Sequence, residues 1–534
     1  MSTHGPHLSR RRFLGAAAST AAVLAVAPVA CAVDDSADAA LDTAVIGGGI
    51  GGLYAAWRLG NRHEPADKIA VFEATDRLGG RIMSVNMPGT IGLSAEFGAM
   101  RFLDNQRIVA SLVDELGFDT RHFPMGGGDN RVFLRGRHFT AADYARPDGV
   151  PYALVGDEAG LDPTTLQVKA IHDLVPDAET LGPEKWLTVK RQLTLDGRPL
   201  VDWGFWDFLE RQLSSEAVKL VEDGGGYSSF IRNRNAAETL PWLLADFVGN
   251  PEYRTVVTGM SAIPDALADA LHGMGTAVNL GHRLESLRTP KDPGGLHELV
   301  FATGDGQRTV KARRVILALP RRAIERIPDC PALKTPSVTA LLSTVTPCSL
   351  AKAFVAHREP WWRQLGVASG PAVTDLPARK FYHFGTEPGR PPGFTGALTM
   401  AYLDDRETDF WSGLRYLEQP DAAGLTMLDP EGPFATELLS QIVAVHELAA
   451  PPPIESVGFI DWGDDQYLSG WHTWTQGAKT WEVMPAVRTP LPGTALHIVG
   501  EAWSLDQGWI EGALQTVEAL LTEDLGLPSP DWIR

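Results

Sequence analysis

Apolar and polar positions change their period along the chain, and those changes mark its elements. Thr43-Ala44-Val45-Ile46 is a short apolar run with the pattern of a buried strand. Gly47-Gly48-Gly49-Ile50-Gly51-Gly52 turns the chain, and Leu53, Ala56, Trp57 and Leu59 are then apolar at helical spacing. Lys68-Ile69-Ala70-Val71-Phe72 reads as a second strand. Ile108, Val109, Leu112, Val113 and Leu116 predict a helix, ended by Gly117 in the usual place of a left-handed cap. Gly259 to Pro264 opens another helix, with Ile263, Leu267 and Leu271 on one face and a close near Gly273. Val278 to Ser286, Glu298 to Thr303 and Arg314 to Pro320 read as strands. Ile510, Ala513, Leu514, Val517, Leu520 and Leu521 make a terminal amphipathic helix.

Two long stretches interrupt this pattern. Residues 125–255 are proline-dotted, aromatic and helix-like, as in Trp203 to Leu209 and Leu240 to Leu244. Residues 331–485 hold a second block, where Lys352 sits in an alternating strand pattern whose plainest reading is a lysine facing solvent.

The glycine turn carries the first chemistry. In G-x-G-x-x-G the first glycine, Gly47, permits the tight turn, Gly49 lets a pyrophosphate approach the backbone, and Gly52 lets helix pack on strand. The helix N-terminus offers free N–H groups and a positive dipole end to phosphates. Glu73 ends the second strand about twenty residues on, where an acid can accept from a ribose hydroxyl. Arg77-Leu78-Gly79-Gly80-Arg81 adds a second glycine pair that a nicotinamide site does not need.

This E-x-x-x-R-x-G-G-R arrangement resembles the first half of the flavin monoamine oxidase family, which implies FAD rather than NAD. Two further segments point within that family to the bacterial L-amino-acid oxidase branch. Glu96-Phe97-Gly98-Ala99-Met100-Arg101 is similar to a segment whose arginine forks onto a substrate carboxylate. A buried pair between Arg101 and Glu96 is the structural alternative. Gly500-Glu501-Ala502-Trp503-Ser504, then Gly508-Trp509-Ile510-Glu511-Gly512-Ala513, resembles the family's ending. The resemblance spans roughly residues 42 to 525.

It implies an α/β fold, a Rossmann-type FAD-binding domain with an inserted, discontinuous α+β substrate-binding domain. The FAD domain would comprise 42–125, 255–330 and 486–534, and the substrate domain 126–254 and 331–485. Implied FAD contacts are Gly47, Gly49, Gly51, Gly52, Glu73, Ala74, Gly79, Gly80 and Arg81, then Gly98, Ala99, Met100 and Arg101. Leu284 would lie near the adenine, with Gly500, Glu501, Gly508, Trp509 and Ile510 along the rest. Implied catalytic residues are Arg101 and Tyr382 on the carboxylate, Lys352 holding a water against the flavin, the Gly508 carbonyl on the ammonium, and Trp509 beside it. His383 stands where the family often has a tyrosine, so Tyr382 and His383 compete for the pocket. Gly470-Trp471-His472-Thr473-Trp474 reads as aromatic wall near the flavin or as core packing. Covalently flavinylated members use a cysteine near the C-terminus; none is present here, so FAD is expected to be non-covalent. The implied reaction is oxidative deamination of an L-amino acid to a 2-oxo acid, ammonia and H2O2, with O2 as second substrate. A primary-amine or polyamine oxidase, an amino-acid 2-monooxygenase, and a protein with purely structural FAD are the alternatives.

Composition changes the picture in two places. The 534 residues are too many for one simple core, so two domains are expected. Net charge is −19, and removing the three arginines of a leader takes it to −22, which argues against nucleic acid or an anionic membrane as partner. That leader is residues 1–32. Ser9-Arg10-Arg11-Arg12-Phe13-Leu14 resembles a twin-arginine export signal, an uncharged alanine-rich stretch follows, and Ala30-Cys31-Ala32 offers a cleavage site. Export after cleavage is expected; an uncleaved anchor or a lipid on Cys31 are the alternatives, and no stable membrane insertion is expected. Only Cys330 and Cys348 remain beyond it, so neither a disulfide framework nor a zinc site is expected. A homodimer is the commonest expectation for assembly.

Overall fold

The structure is a computed structural model describing residues 40–61, 68–146, 148–248, 251–387, 389–390, 393–464 and 469–534. The expected leader lies outside the described residues.

Strand Leu41–Ile46 is an apolar run because both of its faces are covered: Ala44 and Val45 are fully buried and Ile46 nearly so. It pairs in parallel with Ile69–Phe72 on one side and with the C-terminal half of Gly306–Leu317 on the other. Ala277–Asn279 and Leu496–Ile498 extend the parallel array at its two ends. The N-terminal half of Gly306–Leu317 turns away into an antiparallel meander with His297–Thr303 and Arg283–Arg288. The expected strand Val278 to Ser286 is therefore two strands. Gly281 breaks it with φ +64, and the break folds over the end of the Ile69–Phe72 strand, Gly281 N–H donating to Thr75 O and His282 N–H to Glu73 O.

Helix Ile50–Gly60 follows the glycine turn and packs against Ala262–Gly273 and the terminal helix Ile510–Ala519. Leu53, Ile263, Leu267, Leu271, Leu514 and Val517 share one core there, as the helical spacing predicts. Gly117 takes φ +76 after helix Arg107–Glu115, the expected cap.

A second, eight-stranded sheet runs in the order Thr426–Leu428, Ser456–Asp461, Leu350–His357, Ala397–Asp404, Lys380–Phe384, Gly370–Thr374, Arg131–Leu134 and Arg137–Thr140. Leu350–His357 lies inside it, and every residue from Ala351 to His357 is buried. The alternation expected for a half-exposed strand is absent, since both faces are covered. Helices Pro163–Leu174, Phe205–Gln212, Ser215–Gly224 and Ala236–Phe247 form a separate apolar cluster beside this sheet.

Candidate active site

A cavity of about 660 Å³ runs from the glycine turn to the second sheet. Its near end is built by backbone. Gly47 holds φ +107, and a Cβ there would stand 2.6 Å from Ala318 O, so only glycine closes this turn. At Gly49 a Cβ would meet no protein atom nearer than 3.7 Å; it would instead project at the mouth of the Ile50–Gly60 helix, where Gly49, Ile50 and Gly51 line the cavity. Gly52 does not line the cavity. A Cβ at Gly52 would lie 1.9 Å from Gly47 O, so this glycine serves the packing of helix on strand. Gly79, Gly80 and Arg81 line the opposite wall beside Glu73 and Ala74.

The Glu73 carboxylate is held in place by three donors: Gly48 N–H at 2.7 Å, Thr75 N–H at 2.9 Å and the Thr75 hydroxyl at 2.8 Å. Leu284 faces the same end of the cavity, at an irregular point in its strand's pairing.

Further along, Gly98, Ala99, Met100 and Arg101 form one wall and Gly500, Glu501, Gly508, Trp509 and Ile510 another. The Glu501 carboxylate accepts from Arg81, from both the backbone and Nδ1 of His472, and from Gly508 N–H, all at 2.8–2.9 Å. Burial alone would raise this carboxyl, but Arg81 and His472 outweigh it and hold it down at about 2. Glu501 thus ties three cavity segments together by one charge. Trp471 lines the cavity with Nε1 buried and without a hydrogen-bond partner among the described residues. Trp474 instead turns its Nε1 to Ser504 O and packs in the core.

At the far end stand Arg101 and Lys352. Arg101 is buried, its guanidinium over the rings of Tyr253 at 4.5 Å and Phe123 at 5.1 Å. One terminal nitrogen reaches Met125 Sδ at 3.0 Å and the Tyr382 hydroxyl at 3.5 Å, and Nε has no partner among the described residues. No carboxylate among the described residues lies within salt-bridge distance of it. Glu96 in particular is engaged elsewhere, accepting from Ser84 and from Met260 N–H. Lys352 is 2% exposed, which rules out a solvent-facing role. Its Nζ donates to the backbone carbonyls of Glu96 and Gly98 at 3.0 and 2.5 Å. Burial pushes its amine down to about 7, opposed by Glu96 and aided by Arg101.

Tyr382 stands beside Arg101 but behind the cavity wall; its hydroxyl meets that of Tyr227 at 2.8 Å, and Tyr227 does line the cavity. His383, next on the strand, points the other way, to Gly370 O and His446 Nε2. Sequence reasoning missed Tyr227, Trp242, Asp246 and Tyr402 as lining residues. Only the aromatic richness of the helical insert hinted at Trp242.

The match that decides the family is to the flavin-containing amine oxidoreductases, over residues 50–517. The chain belongs to this family. Aplysianin-A of Aplysia kurodai is 26% identical over 92% of the chain and 91% of its own length. An L-amino-acid oxidase of Mus musculus is 24% identical over 88% of the chain and 69% of its own length. A putrescine oxidase structure with bound putrescine superposes with TM-score 0.65 at 18% identity, covering 92% of the chain and all of that one, and shows the shared fold. The protein is a flavin-dependent amine oxidoreductase that binds FAD. Its cavity fits that group: Gly49 and Gly51 at the helix mouth, where a Cβ on Gly49 would meet protein only at 3.7 Å, line it together with Glu73, Gly79 and Gly80. Among the described residues no helix is long and apolar enough to cross a membrane, and no group of three or more His, Cys, Asp or Glu could hold a metal.

Proposed function

We propose that this oxidoreductase deaminates L-amino acids to 2-oxo acids, releasing ammonia and H2O2. One observation carries the reading: the buried guanidinium of Arg101 at the cavity's far end, with no carboxylate among the described residues at salt-bridge distance. A buried cation without a partner is costly, and a substrate carboxylate supplies two charge-assisted hydrogen bonds to a planar fork. FAD, when bound, supplies two-electron oxidation with O2 as final acceptor. The protein's part is to orient and to exclude water. Arg101 fixes the carboxylate, with Tyr382 behind it and Tyr227 on the cavity wall beside it. The Gly508 carbonyl accepts from the substrate ammonium, and Trp471 and Trp509 wall the reacting carbon. Lys352, held by two carbonyls, positions water beside the reacting carbon. Hydrolysis of the imino acid by water then yields the 2-oxo acid and ammonia.

FAD is held without a covalent bond in this reading, since neither Cys330 nor Cys348 lines the cavity. Acid precipitation checks it: the yellow colour should stay in solution. We further propose twin-arginine export; replacing Arg10 and Arg11 by lysine should leave the enzyme in the cytoplasm with its leader uncut, and normal export of that variant would refute it.

The deciding experiment is peroxide and 2-oxo-acid production with the L-amino acids, each beside the amine that lacks its carboxylate. Turnover of the amines alone would establish the amine-oxidase alternative, and an amide product would establish the monooxygenase.

A further inference from the structure

Among the described residues Asp246 is the one acid lining the cavity beside Arg101. It sits in helix Ala236–Phe247, one turn after Trp242, and is 6% exposed. Its Oδ1 accepts from the Tyr253 hydroxyl at 2.7 Å, and that hydroxyl also lies 2.8 Å from the Asp246 backbone carbonyl. No lysine or arginine among the described residues lies within salt-bridge distance of its carboxylate. Burial pushes the carboxyl upward, while Arg101, Tyr253, Lys380 and Arg234 pull the other way.

The ring of Tyr253 lies between Asp246 and Arg101: its face receives the guanidinium at 4.5 Å and its hydroxyl holds the carboxylate. The cavity therefore presents two unlike charges, each without an oppositely charged partner at contact distance among the described residues, spaced by one tyrosine. Trp242 and Trp471, stacked with centroids 6.2 Å apart, form an aromatic wall alongside. Aromatic faces favour cations, as the Arg234 guanidinium 4.6 Å over Trp242 already shows. The net charge of −19 also draws cations toward the protein.

We infer that Asp246 selects amino acids with a cationic side chain, the α-carboxylate pairing with Arg101 and the distal ammonium or guanidinium with Asp246. This rests on the amino-acid reading above and names its substrate class. A buried carboxylate held only by a phenol gains an opposite charge from such a ligand, whereas an apolar side chain leaves that charge uncompensated.

The test compares L-lysine with L-norleucine, the same carbon chain without the terminal ammonium, in the FAD-loaded full chain. Wild type should favour lysine in kcat/KM by roughly 30-fold or more, the effect of pairing a buried charge. Asp246→Asn should bring that ratio to within a few fold, with Asp246→Glu intermediate. Equal or better use of norleucine by wild type overturns the inference while leaving the amino-acid reading intact. So does an Asp246→Asn variant slowing both substrates alike, which would place Asp246 in service of Arg101. Turnover of cadaverine but of neither amino acid overturns the amino-acid reading and this inference with it. Should Asp246→Asn fail to bind FAD, the wild-type comparison decides alone.

Discussion

Arg101 and Tyr382 lie 281 residues apart and meet at 3.5 Å, guanidinium to phenol, with the arginine's Nε still unpaired. In the proposed function Arg101 is the group that takes the substrate carboxylate, with Tyr382 behind it. Truncating one partner of a buried charge pair costs about 2–5 kcal/mol. Arg101→Met should therefore lower kcat/KM for amino acids by roughly 30- to 3,000-fold, and Arg101→Lys by an intermediate amount. The matching amine should lose far less. Steady-state peroxide assays check this, with FAD content as control; equal slowing of amine and amino acid would make Arg101 structural.

Two glycines of the first turn should fail in different ways. A Cβ at Gly49 meets Gly80 only at an ordinary 3.7 Å beside the cavity, so Gly49→Val should fold and remain colourless. A side chain at Gly52 meets Gly47 O at 1.9 Å, so even Gly52→Ala should fold poorly. Circular dichroism beside flavin absorbance separates the outcomes. A yellow Gly49→Val protein would mean that pyrophosphate does not approach there.

Glu501 should show its charge in the acid limb of stability. Its folded value near 2 lies below the ordinary 4.5, so its contribution is present above 4.5 and is lost as pH falls toward 2. Glu501→Gln should cost about 3 kcal/mol near neutrality, with the deficit narrowing through that window. Denaturant melts of the two proteins across pH check it. A deficit independent of pH would point to lost packing.

Lys352 should trade stability for activity. The folded amine releases its proton near 7, while the unfolded one keeps it to 10.5. Its burial penalty is thus full below 7 and fades as pH rises to 10.5. Lys352→Met should raise Tm relative to wild type more at about pH 6 than at about pH 9. Unpaired carbonyls at Glu96 and Gly98 offset part of the gain. Amino-acid turnover should fall at both values, and an unchanged rate would remove Lys352 from the reaction.

Local chemistry was legible in the chain itself. The strand–glycine–helix turn at 43–60, Glu73, the segment ending at Arg101 and the Gly500–Ala513 ending each depend on backbone shape or helix mouths within a few residues. Short-range sterics and hydrogen bonding set these features, so residue order alone carries them. Tertiary packing decided the rest. Lys352 looked exposed because only the fold makes its strand a central one, paired by Ala397–Asp404 and Ser456–Asp461, and brings the Glu96 and Gly98 carbonyls onto its side chain. The choice between Tyr382 and His383 was made by register, since neighbours on a strand face opposite ways and one of the two had to turn from Arg101. Gly52 and Tyr382 were expected at the cavity surface and stand one layer behind it. Asp246, Tyr227 and Trp242 come from an insert with no motif of its own. Glu511, read only as part of the ending, accepts from Ile108 and Val109 N–H and so caps the helix after Arg101 from some four hundred residues away. Such contacts join segments whose spacing along the chain carries no signal, because only the folded core brings their faces together.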